Sequence, residues 1–232
     1  MKQSGIVQRL LGLVNSPLVN PAFMNLRNTC RPIDIGNLLH TPIADSRFVV
    51  IDTETTGFHA YGGDEIVSIA MLETRGLECT GTVYSQLINP QRAIPAESSA
   101  IHGLHDADVR DAPTIEEVLT EVLDFIGTAV IVGHHIDFDL RFINRTLKKR
   151  MGCRLHNPAI DTMLLFHGYS GRLGHYTLDD VAGACKVEIT DRHSALGDAR
   201  ATCEVFCKLA GVGLRDNASV GELLKLQSAN EF

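Results

Sequence analysis

Phe48-Val49-Val50-Ile51 is an unbroken apolar run that ends on Asp52 and, two residues later, Glu54. A run with no polar alternation suits a central strand covered on both faces. Residues i and i+2 of a strand project to the same side, so Asp52 and Glu54 stand together at the end of that strand. Two like charges there repel, and the apolar strand end solvates them poorly. A divalent cation relieves both penalties. The plain alternative is an acidic strand end that caps a turn.

The rest of the chain supplies elements that could cover such a strand. Ile66 to Leu72 and Thr82 to Ile88 read as two further strands of an antiparallel meander. Thr114 with Glu117 forms a capping box, and Ile115, Val118, Leu119, Val122 and Ile126 recur with helical period behind it. Val130-Ile131-Val132 predicts a short buried strand, Phe138 to Met151 a helix, and Ile160-Asp161 the end of another strand. Tyr176 to Cys185 predicts a helix capped by Thr177; Ala195 to Ala210 predicts one whose inner face is Leu196, Ala199, Cys203, Phe206 and Ala210. Strands first, then helices alternating with short strands, imply an α/β protein with a mixed central sheet flanked by helices.

Residues 1–47 differ from this pattern. Ile6, Val7, Leu10, Leu11 and Val14 are spaced as in a short amphipathic helix, and Pro17, Pro21, Pro32 and Pro42 punctuate the rest of the segment. The division expected is therefore an N-terminal, partly helical extension over 1–47, a main domain over 48–210 and a C-terminal tail over 211–232. In the tail, Leu223, Leu224 and Leu226 either form a small docking helix or pack back on the domain.

Charge and composition narrow the function. The formal net charge is −7, which argues against coating nucleic acid by bulk positive charge but leaves room for local phosphate binding through metal cations. No apolar run reaches the roughly 18 residues a membrane span needs. Six cysteines lie scattered without a Cys-x-x-Cys pair, which fits a reducing cytoplasm. Cys203 and Cys207, four apart, read as small buried hydrophobes in preference to a zinc pair.

Two more acids complete a pattern. Asp139 follows the Val132-Gly133-His134-His135 strand end and begins a helix, where a carboxylate also serves as cap or dipole partner, as Asp137 does in the simplest reading. Asp198 lies in the first turn of the last helix, with His193 just ahead of it. An imidazole beside a metal-bound carboxylate is placed to accept a proton from water.

Taken together, Phe48 to Gly57, Val132 to Asp139 with Leu140-Arg141-Phe142, and His193 to Ala199 resemble the three motifs of the DnaQ-like (DEDDh) 3′–5′ exonucleases. Ile101-His102-Gly103-Leu104 and Asp161-Thr162 match further segments of that family. The resemblance runs from about 48 to 210 and implies a ribonuclease-H-like fold. It implies two divalent ions, Mg²⁺ or Mn²⁺, held by Asp52, Glu54, Asp139 and Asp198, with Asp52 bridging them. Glu54 would also orient the attacking water, and His193 would be the general base. Thr55, Thr56, Gly57 and His102 would touch the terminal nucleotide, with Phe138 near it or in the core. The family usually carries Ala-His-Asn where this chain has Gly133-His134-His135, so His135 either replaces the amide's hydrogen bond or perturbs the loop.

The activity implied is release of nucleoside 5′-monophosphates from the 3′ end of nucleic acid, with single-stranded DNA in repair or turnover the substrate expected. Oligoribonucleotide trimming, a non-catalytic nucleic-acid-binding module and a proofreading subunit docked to a polymerase through the termini stand as alternatives.

Overall fold

The apolar run forms the middle of β1 (Arg47–Thr55), and its four side chains are fully buried. Around it a computed structural model, which describes residues 33–172, 174–212, 215 and 217–228, builds one five-stranded sheet. β2 (Ile66–Arg75) and β3 (Glu78–Leu87) follow as the expected antiparallel meander. β3 starts earlier than its hydrophobic pattern shows, because Gly76 and Leu77 alone make the hairpin. Gly76 has φ +56°, and a Cβ there would press on the Ala44 carbonyl oxygen at 3.0 Å. β4 (Val130–Gly133) runs parallel to β1 on its other edge, and β5 (Ala159–Asp161) parallel to β4, giving the order β3-β2-β1-β4-β5.

Alternation along the strands sorts the core into two layers. Val49, Ile51, Ile69, Met71 and Ile131 face α4 (Ile115–Ile126) and α5 (Asp137–Met151). The α4 capping box of Thr114 and Glu117 is formed, and its expected apolar face is buried. Phe48, Val50, Ala70, Val130 and Val132 face α6 (Thr162–Ser170), α7 (Leu178–Cys185) and α8 (Ala195–Gly211). The Phe48 and Phe206 rings meet at 4.9 Å between centroids. Burial of each such side chain stabilises by about 1.5–3 kcal/mol, so β1 anchors the sheet strongly enough to carry a costly acidic end.

Between β3 and α4 lie α2 (Ala96–His102) and α3 (Asp106–Val109), which the sequence pattern did not mark. Asp137 does not cap α5: it lies inside the first turn and pairs with Arg141, while Ile136 holds the cap position. The described parts of the two flanking segments meet. α1 (Ile35–His40) packs on α9 (Val220–Ser228), and Pro42 bridges to Ser219. Leu223 is buried, and Leu224 and Leu226 pack against the same core, so these leucines return to the domain. The helix expected near Ile6–Val14 lies outside the described residues.

Candidate functional site

The parity that sorts the core also aims the acids. Asp52 and Glu54 continue the row of Phe48 and Val50, so they project toward α8, whereas Thr53 continues the row of Val49 and Ile51. On α8, Ser194 caps the helix by accepting the Gly197 N–H at 3.0 Å. A Cβ on Gly197 would strike the carbonyl oxygens of Thr190 and Asp191, so glycine lets the first turn settle on that loop. Asp198, the next residue, is buried and turned to the end of β1. Carboxylate oxygens of Asp52, Glu54 and Asp198 all lie within 4.8 Å of one another.

Asp139 approaches from the opposite layer. It is buried in the first turn of α5 and accepts the Thr53 hydroxyl at 2.6 Å. It therefore stands behind the three-acid cluster and acts on Asp52 and Glu54 through its charge. His193 is exposed at the rim with φ 64°; its backbone N–H donates to Asp198 Oδ1 at 3.4 Å.

Burial governs the electrostatics. It is the largest cause raising Asp52 well above the carboxylate range, with Asp139, Glu54 and Asp198 adding repulsion. Glu54 is pushed up to about 8 by burial and then by Asp198 and Asp139. Burial also lifts Asp139 to about 7, against the lowering effect of the Thr53 hydrogen bond. Asp198 is raised by burial, and Arg192 opposes that rise. Hard oxygen donors, crowded, poorly solvated and short of positive charge, are the donor set that suits Mg²⁺ or Mn²⁺.

Arg192 escaped the sequence reading, although it is the immediate neighbour of His193. Its guanidinium pairs with Asp198 and with Asp179 at 2.9 Å, and lies 3.3 Å from His193 Nδ1. It is the cation that opposes the raised pKa of Asp52, Glu54 and Asp198. Asp52, Asp198, Arg192, His134, His135 and His175 line a cleft of about 230 Å³ together with Thr177 and Leu178.

The other expected residues do not line this cleft. Thr55 closes β1 with its hydroxyl on the Gly57 carbonyl at 2.7 Å. The Thr56 hydroxyl donates to Asp64 at 3.2 Å and accepts the Glu65 N–H at 3.1 Å. At Gly57 a Cβ would fall 2.5 Å from the Asp64 carboxylate, so any larger residue there must displace that side chain. His102 ends α2 with its Nδ1 accepting the Leu104 N–H at 3.1 Å, and burial lowers its pKa. Phe138 packs on Phe142 at 5.1 Å and meets the exposed Phe58 at 6.2 Å, joining the core to the surface beside the site.

His135 adopts φ 57°, a conformation that Asn and His tolerate better than most side chains. Its N–H donates to Asp161 Oδ1 at 3.2 Å and its ring stacks on His175 at 4.7 Å. Asp161 also accepts the N–H groups of Ile136 and Met163, which makes it a buried clip for this loop and for α6. His134 is pushed down to about 4, first by burial and then by His135. It is neutral, donates to the Tyr176 carbonyl at 3.0 Å and accepts the Thr162 hydroxyl at 2.9 Å.

Comparison with known proteins agrees with this architecture. The family described as Exonuclease (RNase T) matches residues 49–206. The chain is 42% identical over 175 residues to a DNA polymerase III subunit epsilon-like protein of Rhodobacter capsulatus, covering 74% of this chain and 25% of that one. It is 35% identical over 167 residues to DNA polymerase III subunit epsilon of Aquifex aeolicus, covering 72% and 82%. It spans 13% of a PolC-type DNA polymerase III of Caldanaerobacter subterraneus, so some relatives carry much more chain than this domain. Exonuclease X in complex with 5′ overhanging duplex DNA superposes with a TM-score of 0.60 at 23% identity, over 76% of this chain and 98% of that one. Exonuclease I of E. coli in complex with a dT13 oligonucleotide gives 0.60 at 17%, over 72% and 41%. The mixed five-stranded sheet and the matched motifs place this chain in the RNase T-type exonuclease family, on the DnaQ-like, ribonuclease-H-like fold.

Proposed function

We propose that the chain is a metal-dependent 3′–5′ exonuclease that acts in the cytoplasm on single-stranded DNA and releases nucleoside 5′-monophosphates. The observation that carries this reading is the convergence of the Asp52, Glu54 and Asp198 carboxylates within 4.8 Å, at a strand end whose burial makes their charge costly. Asp52, Glu54, Asp139 and Asp198 would hold two divalent cations, Mg²⁺ or Mn²⁺, which when bound supply charge neutralisation at the phosphate and activation of water.

The remaining roles belong to the protein. His193, exposed at the rim beside Asp198, takes a proton from the attacking water. The water oxygen bonds to phosphorus, the P–O3′ bond breaks, and the departing 3′ oxygen is protonated from solvent. Glu54 orients the water. Thr55, Thr56, Gly57 and His102 receive the terminal nucleotide beside the cleft, and Phe138 with Phe58 offers an apolar flank to its base. With a net charge of −7, binding rests on short contacts near the 3′ end and on the cations.

DNA is favoured over RNA because the relatives are named as DNA polymerase III subunits and the similar folds were solved with DNA. Those names also support a second reading, a proofreading subunit held by a polymerase. Among the described residues no helix is long and apolar enough to cross a membrane.

A time course on matched 5′-labelled single-stranded DNA and RNA tests the proposal, with Mg²⁺, Mn²⁺ or chelator. A descending ladder on DNA that needs metal and disappears in Asp52→Ala supports it. A faster ladder on RNA reassigns the polymer, and near-normal turnover by Asp52→Ala refutes the site.

A further inference from the structure

A second cluster of metal-ligating side chains lies away from the acids. Cys79 is the second residue of β3, while Cys203 and Cys207 lie one turn apart on α8. Cys79 stands opposite Thr74 of β2, which stands opposite Phe48 of β1, so the cluster is level with the far end of β1 from Asp52. The Cys203 and Cys207 spacing alone suits two small core residues; the sheet brings a third thiol to them. The three Sγ atoms lie within 4.8 Å of one another, graded from buried Cys203 through half-buried Cys207 to exposed Cys79.

We propose that Cys79, Cys203 and Cys207 form a second metal site, a three-thiolate seat for one thiophilic divalent cation of the Zn²⁺ class. Three convergent thiols from two elements are the donor set of such a cation, whereas a disulfide would use two and leave the third. The exposed Cys79 leaves an entry path and a fourth position for water. On binding, three S–H bonds give way to three metal–sulfur bonds and three protons pass to solvent. A divalent cation with three thiolates carries a net charge of −1, modest enough for a half-exposed site.

The test uses the full chain, reduced and under anaerobic conditions, titrated with Co²⁺ as a spectroscopic probe. A thiolate-to-cobalt charge-transfer band saturating at one equivalent, bleached by Zn²⁺, is the expected result, with Zn²⁺ shielding three thiols from a thiol reagent. Cys79→Ser, at an exposed position where the fold is retained, and Cys207→Ser should each abolish the band. Cys185→Ser and Asp52→Asn should keep it, which separates this site from the oxygen-only acidic cluster. Absence of the band, its persistence in Cys79→Ser, or three thiols that stay fully reactive in Zn²⁺ would overturn the proposal.

Discussion

Binding of Mg²⁺ at the acidic cluster should expel protons at neutral pH, and the amount follows from the site. Glu54, at about 8, is roughly nine-tenths protonated at pH 7, and Asp139, at about 7, is half protonated. A cation that requires both as carboxylates therefore releases on the order of one proton, and Asp52 adds to that release. The sign is fixed by the direction of the shifts. Both groups are raised in the folded protein, so protons compete with metal, and affinity climbs with pH until it passes about 8. Integrated from pH 6 to 8, Glu54 gives about a fiftyfold gain in affinity and Asp139 about tenfold, together roughly 500-fold. The same shift destabilises the metal-free fold as pH rises from the ordinary 4.5 of a glutamate to about 8, a span worth on the order of 5 kcal/mol for Glu54. The assay is calorimetric titration of Mg²⁺ at pH 7 in buffers of different ionisation enthalpy, without nucleic acid, repeated at pH 6 and 8. Thermal unfolding in chelator over the same range reads the second effect. Zero proton exchange, or affinity that is flat from pH 6 to 8, would refute the reasoning.

His193→Ala should leave Mg²⁺ affinity within about twofold and slow single-turnover hydrolysis by about 10²–10⁴, because the His193 hydrogen bond to Asp198 comes from its backbone N–H, which the substitution keeps; a loss of metal affinity matching that of Asp198→Ala would contradict the role. Arg192→Gln removes the cation paired with Asp198, so calorimetry should find tighter Mg²⁺ binding, and weaker binding would show that the guanidinium organises the acids instead of competing for them. Phe206→Ala opens a cavity beneath Phe48 and should cost about 3–5 kcal/mol in denaturant unfolding; a cost under about 1 kcal/mol would deny that ring pair its place in the core.

How much of this was legible in the sequence depends on the range of the interaction. Strand parity is a local rule, so Phe48 to Glu54 announced both the buried strand and the shared direction of two acids. Capping is equally local, which is why Thr114 with Glu117, and Thr177, marked their helices correctly. α6 stayed hidden because its apolar residues do not fall on one face: only Thr162, Leu165 and His167 are buried, and its start is fixed by Asp161, a residue of β5. Asp139 could be named from its motif, but its tie to Thr53, across 86 residues, needed the two layers to be known. Arg192 depends on a loop in which both Asp191 and His193 have positive φ, a path that no hydrophobic period records.

The cysteines sharpen the same point. Spacing on α8 shows that Cys203 and Cys207 share a face, and from that alone a buried pair is the economical reading. Cys79 reaches them only because β3 pairs with β2 in a register that sets Cys79 opposite Thr74. A shift of one residue would turn Cys79 to the other face of the sheet. The third thiol is thus placed by the pairing of two strands, while the acids are placed by unbroken alternation along a single strand. That difference explains why one cluster can be inferred from the chain before any fold is known, and the other only from the sheet that assembles it.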